Sequence, residues 1–304
     1  MSDTGLPVIL LVGPTAVGKS GLALRLAPRL NAEIVSADSV QVYRGLDIGS
    51  AKPDAAARAA VPHHCLDLVG PEVNYTVADY ARDAQAAIAA IRARGKRVLV
   101  VGGSGLYVRA LTDGLCPAPP GDAAVRKQIT DDAYNDPLKL YRRLQQVDPV
   151  AAAVADPRNV RRVVRALEVF VISGKPLSAW WQETPKPNYP VVQIGLDLPR
   201  AELYRRIDER VAQMWTGGLL DECRRLLAAG CDPGLKSLGT LGYRHALLAL
   251  RGILPEAEAR RQMARDTRHF AKRQYTWFMP DKRIRWFLCA TEEDVLHGCN
   301  HAAA

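Results

Sequence analysis

Eight consecutive residues, Gly13-Pro14-Thr15-Ala16-Val17-Gly18-Lys19-Ser20, fit the spacing G-x-x-x-x-G-K-[ST]. Glycines at those positions let the backbone curl so that its N–H groups converge on phosphate oxygens. Lys19 adds a point charge, the helix that should follow contributes its N-terminus, and the Ser20 hydroxyl is placed to ligate Mg²⁺. The chemistry implied is the holding of a phosphate chain.

Three further constellations could act with this loop. Asp38 stands at the end of an apolar run, where it could serve as general base or metal ligand, or simply cap the next turn. Gly102-Gly103-Ser104-Gly105-Leu106-Tyr107 surrounds one hydroxyl with three glycines, which suits close approach to a ligand and suits a tight turn almost as well. Arg158, Arg161, Arg162 and Arg165 share a helical face opposite Val160, Val163, Val164 and Leu167, with few acids nearby in sequence. Such a face could be only solvated or salt-bridged, but the scarcity of acids favours phosphate-backbone contact. Arg261, Arg265, Arg268 and Lys272 repeat the spacing and run into Arg273-Gln274-Tyr275-Thr276-Trp277-Phe278, where basic and aromatic residues interleave as single-stranded RNA recognition requires. Trp180-Trp181 could stack on bases too, although paired tryptophans more often pack a core.

These residues need a frame. Val8–Val12, Ala32–Ala37 and Val98–Val101 read as strands, each ending in one of the loops above, with helical stretches Leu22–Leu30 and Ala78–Arg94 between them. Strand–helix alternation predicts an α/β fold built on a parallel sheet, with the loops converging at the carboxyl ends of the strands. Two proline-rich stretches, around 116–121 and 184–190, bracket a region with helical periodicity and no strand. The expectation is a P-loop NTPase-like core over 1–118 and 191–304, carrying a helical insertion over 119–190. Val191–Leu196 resumes as a strand, and the remainder reads as largely helical.

Composition narrows the classes. The 304 residues are 48% hydrophobic and 24% charged, ordinary values for a globular chain. No apolar run reaches the ~20 residues of a membrane span and the start carries no basic leader, so a cytoplasmic, membrane-free protein is expected. Cys65, Cys116, Cys223, Cys231, Cys289 and Cys299 show no Cys-x-x-Cys spacing, which fits reduced thiols. His297, Cys299 and His301 are too tightly spaced for zinc, and the tail reads as disordered. The net charge of +9 favours a polyanionic partner.

Taken together, Gly13–Ser20, Ser36–Pro53, Pro62-His63-His64, Gly102–Tyr107, Arg162–Val169, Gly242-Tyr243-Arg244 and Ala271–Phe278 resemble the tRNA dimethylallyltransferases (tRNA isopentenyl transferases). The matches keep the family's order over nearly the whole chain. The resemblance implies transfer of a five-carbon prenyl group from dimethylallyl diphosphate to N6 of the adenosine 3′ of the anticodon, releasing diphosphate. It implies that the phosphate loop, which in most of its relatives holds ATP, holds the donor's diphosphate with Mg²⁺. By the same likeness Asp38 accepts the amine proton, Lys19 steadies the leaving group and Ser104 hydrogen-bonds the released oxygen. Contacts to the tRNA anticodon stem-loop would come from Asp38, Ser39, Val40, Gln41, Ser104, Arg126, Arg162, Val163, Val164, Arg165, Ala166, Gly242, Tyr243, Arg244, Arg273, Gln274 and Trp277. A monomer of bacterial type, without the zinc-finger extension of eukaryotic relatives, is expected. The chain departs from the family at Ser104, where threonine is usual, and at Gly239, where a basic residue is common.

Two rival readings remain at this stage. An ATP-dependent kinase shares the loop and the sheet but leaves the arginine faces without a purpose. A non-catalytic RNA-binding module leaves the phosphate loop unexplained.

Overall fold

The computed structural model describes residues 5–132 and 136–300; Met1–Thr4 and His301 lie outside them. Among the described residues the order is β1 (Val8–Val12), α1 (Lys19–Leu30), β2 (Ala32–Ala37), α2 (Ala55–Ala60), β3 (His63–His64), α3 (Val77–Ala93), β4 (Arg97–Gly102) and α4 (Gly105–Thr112). Then come α5 (Ala123–Asp131), α6 (Pro137–Val147), α7 (Pro149–Val154), α8 (Val160–Ser173) and α9 (Leu177–Gln182). The chain closes with β5 (Val191–Asp197), α10 (Arg200–Thr216), α11 (Leu219–Ala228), α12 (Tyr243–Leu250), α13 (Glu256–Phe278), β6 (Ile284–Leu288) and α14 (Glu292–Asn300).

The six strands form one parallel sheet in the order β3-β2-β4-β1-β5-β6. Every residue of β1 is buried, because both faces of the sheet are covered. Val8, Leu10 and Val12 point into a core shared with α3, α4 and α10 to α13, while Ile9 and Leu11 point into one shared with α1 and α14. This two-sided burial is why the strand reads as an unbroken apolar run instead of an alternation. The fold is a P-loop NTPase-like α/β sheet, and the phosphate loop leaves it where the strand order reverses around β1.

The chain divides into two compact units, Met1–Thr112 with Asn188–Ala304, and Asp113–Pro187. Among the described residues the regular elements of the second are the helices α5 to α9, and it has its own core of Ile129, Leu140, Leu144, Ala151, Ala152, Val163, Val164, Ala166 and Leu167.

One expectation is corrected by the C-terminal segment. The tail is helical over Glu292–Asn300, with Val295 and Cys299 buried against the sheet-side core. Thr291 and Asp294 form the reciprocal side-chain and backbone bonds that start this helix, a capping pattern visible in the sequence. Residues 284–288 form an edge strand whose outer positions are half-exposed, so it lacks the apolar run that marks the central strands.

One buried carboxylate organises the segment between β2 and α2. Glu222 of α11 is 3% exposed and accepts from the N–H groups of Asp47 (3.1 Å), Ile48 (2.9 Å) and Gly49 (3.2 Å) and from the Tyr243 hydroxyl (2.7 Å). Gly49 lies so close to the Tyr243 ring that a Cβ would sit 2.5 Å from it. Glu222→Ala strands all four donors, and urea denaturation should show a loss of about 3 kcal/mol or more. A loss under about 1 kcal/mol would mean that water replaces the carboxylate.

Candidate functional site

The phosphate loop is built as its spacing requires. Gly13 (φ 141°) and Gly18 (φ 104°) take backbone conformations that side-chain-bearing residues avoid, and Ala16 is held at φ 65°. Gly13 also abuts β5, where a Cβ would lie 2.6 Å from the Leu196 carbonyl oxygen. The N–H groups of Ala16, Gly18, Lys19 and Ser20 find no acceptor among the described residues, which leaves four donors at the start of α1 for an anion. The Val17 amide instead closes a turn onto Pro14, and the Thr15 amide is taken by Gln274.

Lys19 Nζ donates to the carbonyl oxygens of Gly13 (2.9 Å) and Pro14 (2.7 Å). Its pKa falls to about 7, through burial first and repulsion from Arg210 second, with Asp38 offsetting part of both. Arg210 of α10 is a cation that the motifs did not reveal. Burial lowers its own pKa, Asp38 opposes that shift, and one Nη lies 3.5 Å from the Thr15 hydroxyl. Its sequence signal is its place beside the buried Ile207–Val211–Trp215 stripe, a charge on the flank of an apolar face. Lys19 and Arg210 interact with Asp38 as their shared acid, so the site carries excess positive charge in a partly desolvated place.

Asp38 performs the capping role and leaves the chemical role open. One carboxylate oxygen accepts from the N–H groups of Val40 (2.8 Å) and Gln41 (3.4 Å); the other has no partner among the described residues. Ser104 Oγ accepts from the Ser39 N–H at 3.0 Å, tying the β4 loop to the β2 loop. The glycines of that loop are explained by the protein's own crowding. A Cβ would lie 2.1 Å from the Ala37 oxygen at Gly102, 2.1 Å from Gln274 Nε2 at Gly103 and 2.3 Å from Trp277 Nε1 at Gly105.

These groups face a cavity of about 520 Å³. Thr15, Asp38, Ser39, Ser104 and Arg210 supply its polar lining, with Val40, Val211, Met214, Met263 and Phe270 as apolar wall. Arg244, His269 and Arg273 add cationic or titratable groups, and Gly239 also lines it. A side chain at Gly239 would meet nothing closer than 3.5 Å, so the glycine opens the cavity without any steric need.

Several residues expected at an RNA surface are placed elsewhere. The Gln41 side chain is buried, accepting from Ser36 Oγ (2.9 Å) and donating to the Ser50 and Ala51 oxygens (both 3.2 Å). Tyr243 is wholly buried on Glu222, and Gln274 is 6% exposed with both ends of its amide engaged. Val163, Val164 and Ala166 are at most 5% exposed, since they form the inner side of α8. The arginine face of α8 is also smaller than its spacing suggests. Arg158 precedes the helix and pairs with Asp156. Arg165 pairs with the fully buried Glu168, which also holds Arg126 and the Asp122 N–H, and it donates to the Pro119 oxygen. The acid that pairs this face lies one turn along the same helix, hidden among apolar residues. Arg161 and Arg162 remain exposed without a side-chain partner among the described residues.

On α13, Arg261, Arg265 and Arg268 pair with Glu258, Asp266 and Asp208. Lys272 and Arg273 stay exposed, the latter near the Phe270 ring, and Trp277 is 38% exposed. Gly242 (φ 95°) starts α12, and Arg244 pairs with Asp266. Ser20 is exposed and its hydroxyl makes no hydrogen bond among the described residues, so it is free to ligate a cation. No cluster of three or more His, Cys, Asp or Glu able to hold a metal exists among those residues, and no described helix is long and apolar enough to cross a membrane.

A phosphate-type anion should bind Lys19 in its charged form, so binding near pH 8 must take up a proton. Affinity for inorganic diphosphate, measured by titration calorimetry, should fall from pH 7 to pH 9 more steeply than in Lys19→Arg, whose guanidinium keeps its charge. The extra slope should approach about tenfold per pH unit. Equal slopes would place the lowered pKa elsewhere.

Known proteins share this architecture. The IPP transferase family model matches residues 41–282. The tRNA dimethylallyltransferase of Geobacter metallireducens is 50% identical over 283 residues, covering 92% of this chain and 91% of that protein. The full-length tRNA isopentenylpyrophosphate transferase of Bacillus halodurans superposes with a TM-score of 0.71 at 35% identity, covering 98% of each chain. A eukaryotic dimethylallyltransferase solved acting on tRNA gives a TM-score of 0.82 at 26% identity, over 98% of this chain and 77% of that one. With its sheet, its phosphate loop and its sequence in agreement with these enzymes over nearly its whole length, the chain belongs to the tRNA dimethylallyltransferase family of prenyltransferases.

Proposed function

We propose that this enzyme moves the dimethylallyl group of dimethylallyl diphosphate onto N6 of the adenosine 3′ of the anticodon in tRNA, releasing diphosphate. The observation that carries the reading is the single cavity joining Asp38, Ser104 and Arg210 to the apolar wall of Val40, Val211, Met214, Met263 and Phe270. A cationic recess suits the diphosphate, and an apolar wall suits a branched five-carbon chain.

The adenine must leave its stack to reach this cavity, as any base does before chemistry on its ring substituents. The N6 lone pair forms a bond to C1 of the donor while the C1–O bond breaks and its electron pair leaves on the diphosphate. The N6 proton passes to the unpartnered oxygen of Asp38. Lys19, Arg210 and the free N–H groups of Ala16, Gly18, Lys19 and Ser20 receive the charge that develops on the leaving diphosphate. Ser104 holds the β2 and β4 loops together beside that oxygen. Mg²⁺ commonly takes one protein ligand together with phosphate oxygens and water, and the free Ser20 hydroxyl fits that donor set. It would supply further neutralisation of the diphosphate.

The tRNA backbone would meet Arg161 and Arg162 with the exposed side of Arg126 on the insertion, and Arg244, Arg273 and Trp277 beside the cavity. A monomer working in the cytoplasm goes with this reading.

Labelled dimethylallyl diphosphate should label tRNA, and labelled ATP should not. Transfer of phosphate from ATP instead would identify a kinase. Asp38→Asn should lower turnover at saturating substrates by about 10²–10⁴-fold, and near-normal turnover would reduce Asp38 to its cap. Replacing Arg161 and Arg162 by Gln should flatten the slope of log tRNA affinity against log salt by roughly 1.4–1.8. Filter binding across a salt series reads this, and an unchanged slope would return both to an ordinary solvated face. Arg165→Gln differs in kind, since it uncovers Glu168 and should first show as lost stability.

A further inference from the structure

The phosphate loop and the Ser104 loop are joined by one buried amide. Gln274 Oε1 accepts from the Thr15 N–H at 2.8 Å, and Nε2 donates to the Gly103 oxygen at 3.0 Å. Both bonds span large distances in sequence, and the side chain is 6% exposed. Gly103 lacks the Cβ that would strike this amide at 2.1 Å. Three residues further along α13, and so on the same helical face, Trp277 fills the space that a Cβ on Gly105 would need. One helix face therefore docks into two glycine gaps of the loop that carries Ser104.

We propose that Gln274 is a positioning residue, which sets the separation between the diphosphate-binding loop and the Ser104–Asp38 side of the site. The amide meets both demands at once, since one end accepts a backbone N–H and the other donates to a carbonyl. Its burial and two occupied ends leave this side chain no free polar atom to offer tRNA. The bond to Thr15 also removes one loop amide from the set that faces the anion, so it fixes which N–H groups the donor meets. Ser104 reaches the backbone of Ser39, so a shift at Gly103 is passed to the residue next to Asp38. The consequence falls on alignment of donor and acceptor, not on affinity for either.

This inference rests on the prenyl-transfer reading, and one experiment separates the two. Single-turnover prenylation of tRNA is measured at saturating dimethylallyl diphosphate, together with donor and tRNA dissociation constants, for wild type, Gln274→Met and Gln274→Glu. Misplacement of about 1 Å costs roughly 10²-fold in rate, so Gln274→Met should lose tenfold to a hundredfold in the chemical step. Both dissociation constants should stay within about threefold. Gln274→Glu keeps the acceptor for Thr15 but sets a carboxylate against the Gly103 oxygen, so it should be at least as slow. A variant that folds and keeps the wild-type single-turnover rate would overturn the proposal. So would weakened tRNA binding with a normal rate at saturating tRNA, which would return Gln274 to RNA contact. An inactive wild type would instead overturn the prenyl-transfer reading.

Discussion

The close meeting of the ends of β2 and β4 is the constraint on which the site depends. Ala37 pairs with Gly102, and the Ser104 N–H then donates to the Ala37 oxygen at 3.2 Å. A side chain at position 102 would collide with that carbonyl, so glycine is required for two strands to end together. Asp38 and Ser104 are the next polar residues on each strand, and the register brings them to one cavity. Each hydroxyl and carboxylate is then anchored by backbone N–H groups, so position comes from the sheet and not from flexible side chains.

Electrostatics adds the second half of the argument. Buried cations are tolerated when an anion completes them, and here Lys19 and Arg210 interact with Asp38 as their common acid. The lowered pKa of Lys19 records the cost of that arrangement. Under the proposed reading a bound diphosphate would relieve it, which would tie affinity for the donor to the same desolvation that makes the charges effective.

Much of this was legible in the sequence, for reasons tied to particular residues. The strands β1, β2, β4 and β5 announce themselves as apolar runs because both sheet faces are covered, and Gly13–Ser20 carries its own geometry. The edge strand β6 was hidden by its half-exposed pattern, and β3 by its length of two residues. Arg210 sits in no motif, so only the folded helix shows that it faces Asp38. The family resemblance implies tRNA contacts at Gln274 and Gln41, and it carries no information on which of those side chains face inward. Burial shows that their amides replace backbone partners. The arginine face of α8 was overcounted because Glu168 pairs with Arg165 from within the core.

The insertion divides the sheet in time as well as in sequence. Ile9 to Leu11 of β1 pair on one edge with β4, but on the other edge Val8 to Val12 wait for Val191 to Gly195 of β5, beyond the whole helical unit. During synthesis the central apolar strand must therefore stand with an open row of backbone donors and acceptors until the second half of the chain arrives. The helical unit can bury its own core during that interval, since its contacts are local. Slow arrival of β5 would leave β1 as the segment most exposed to misassembly.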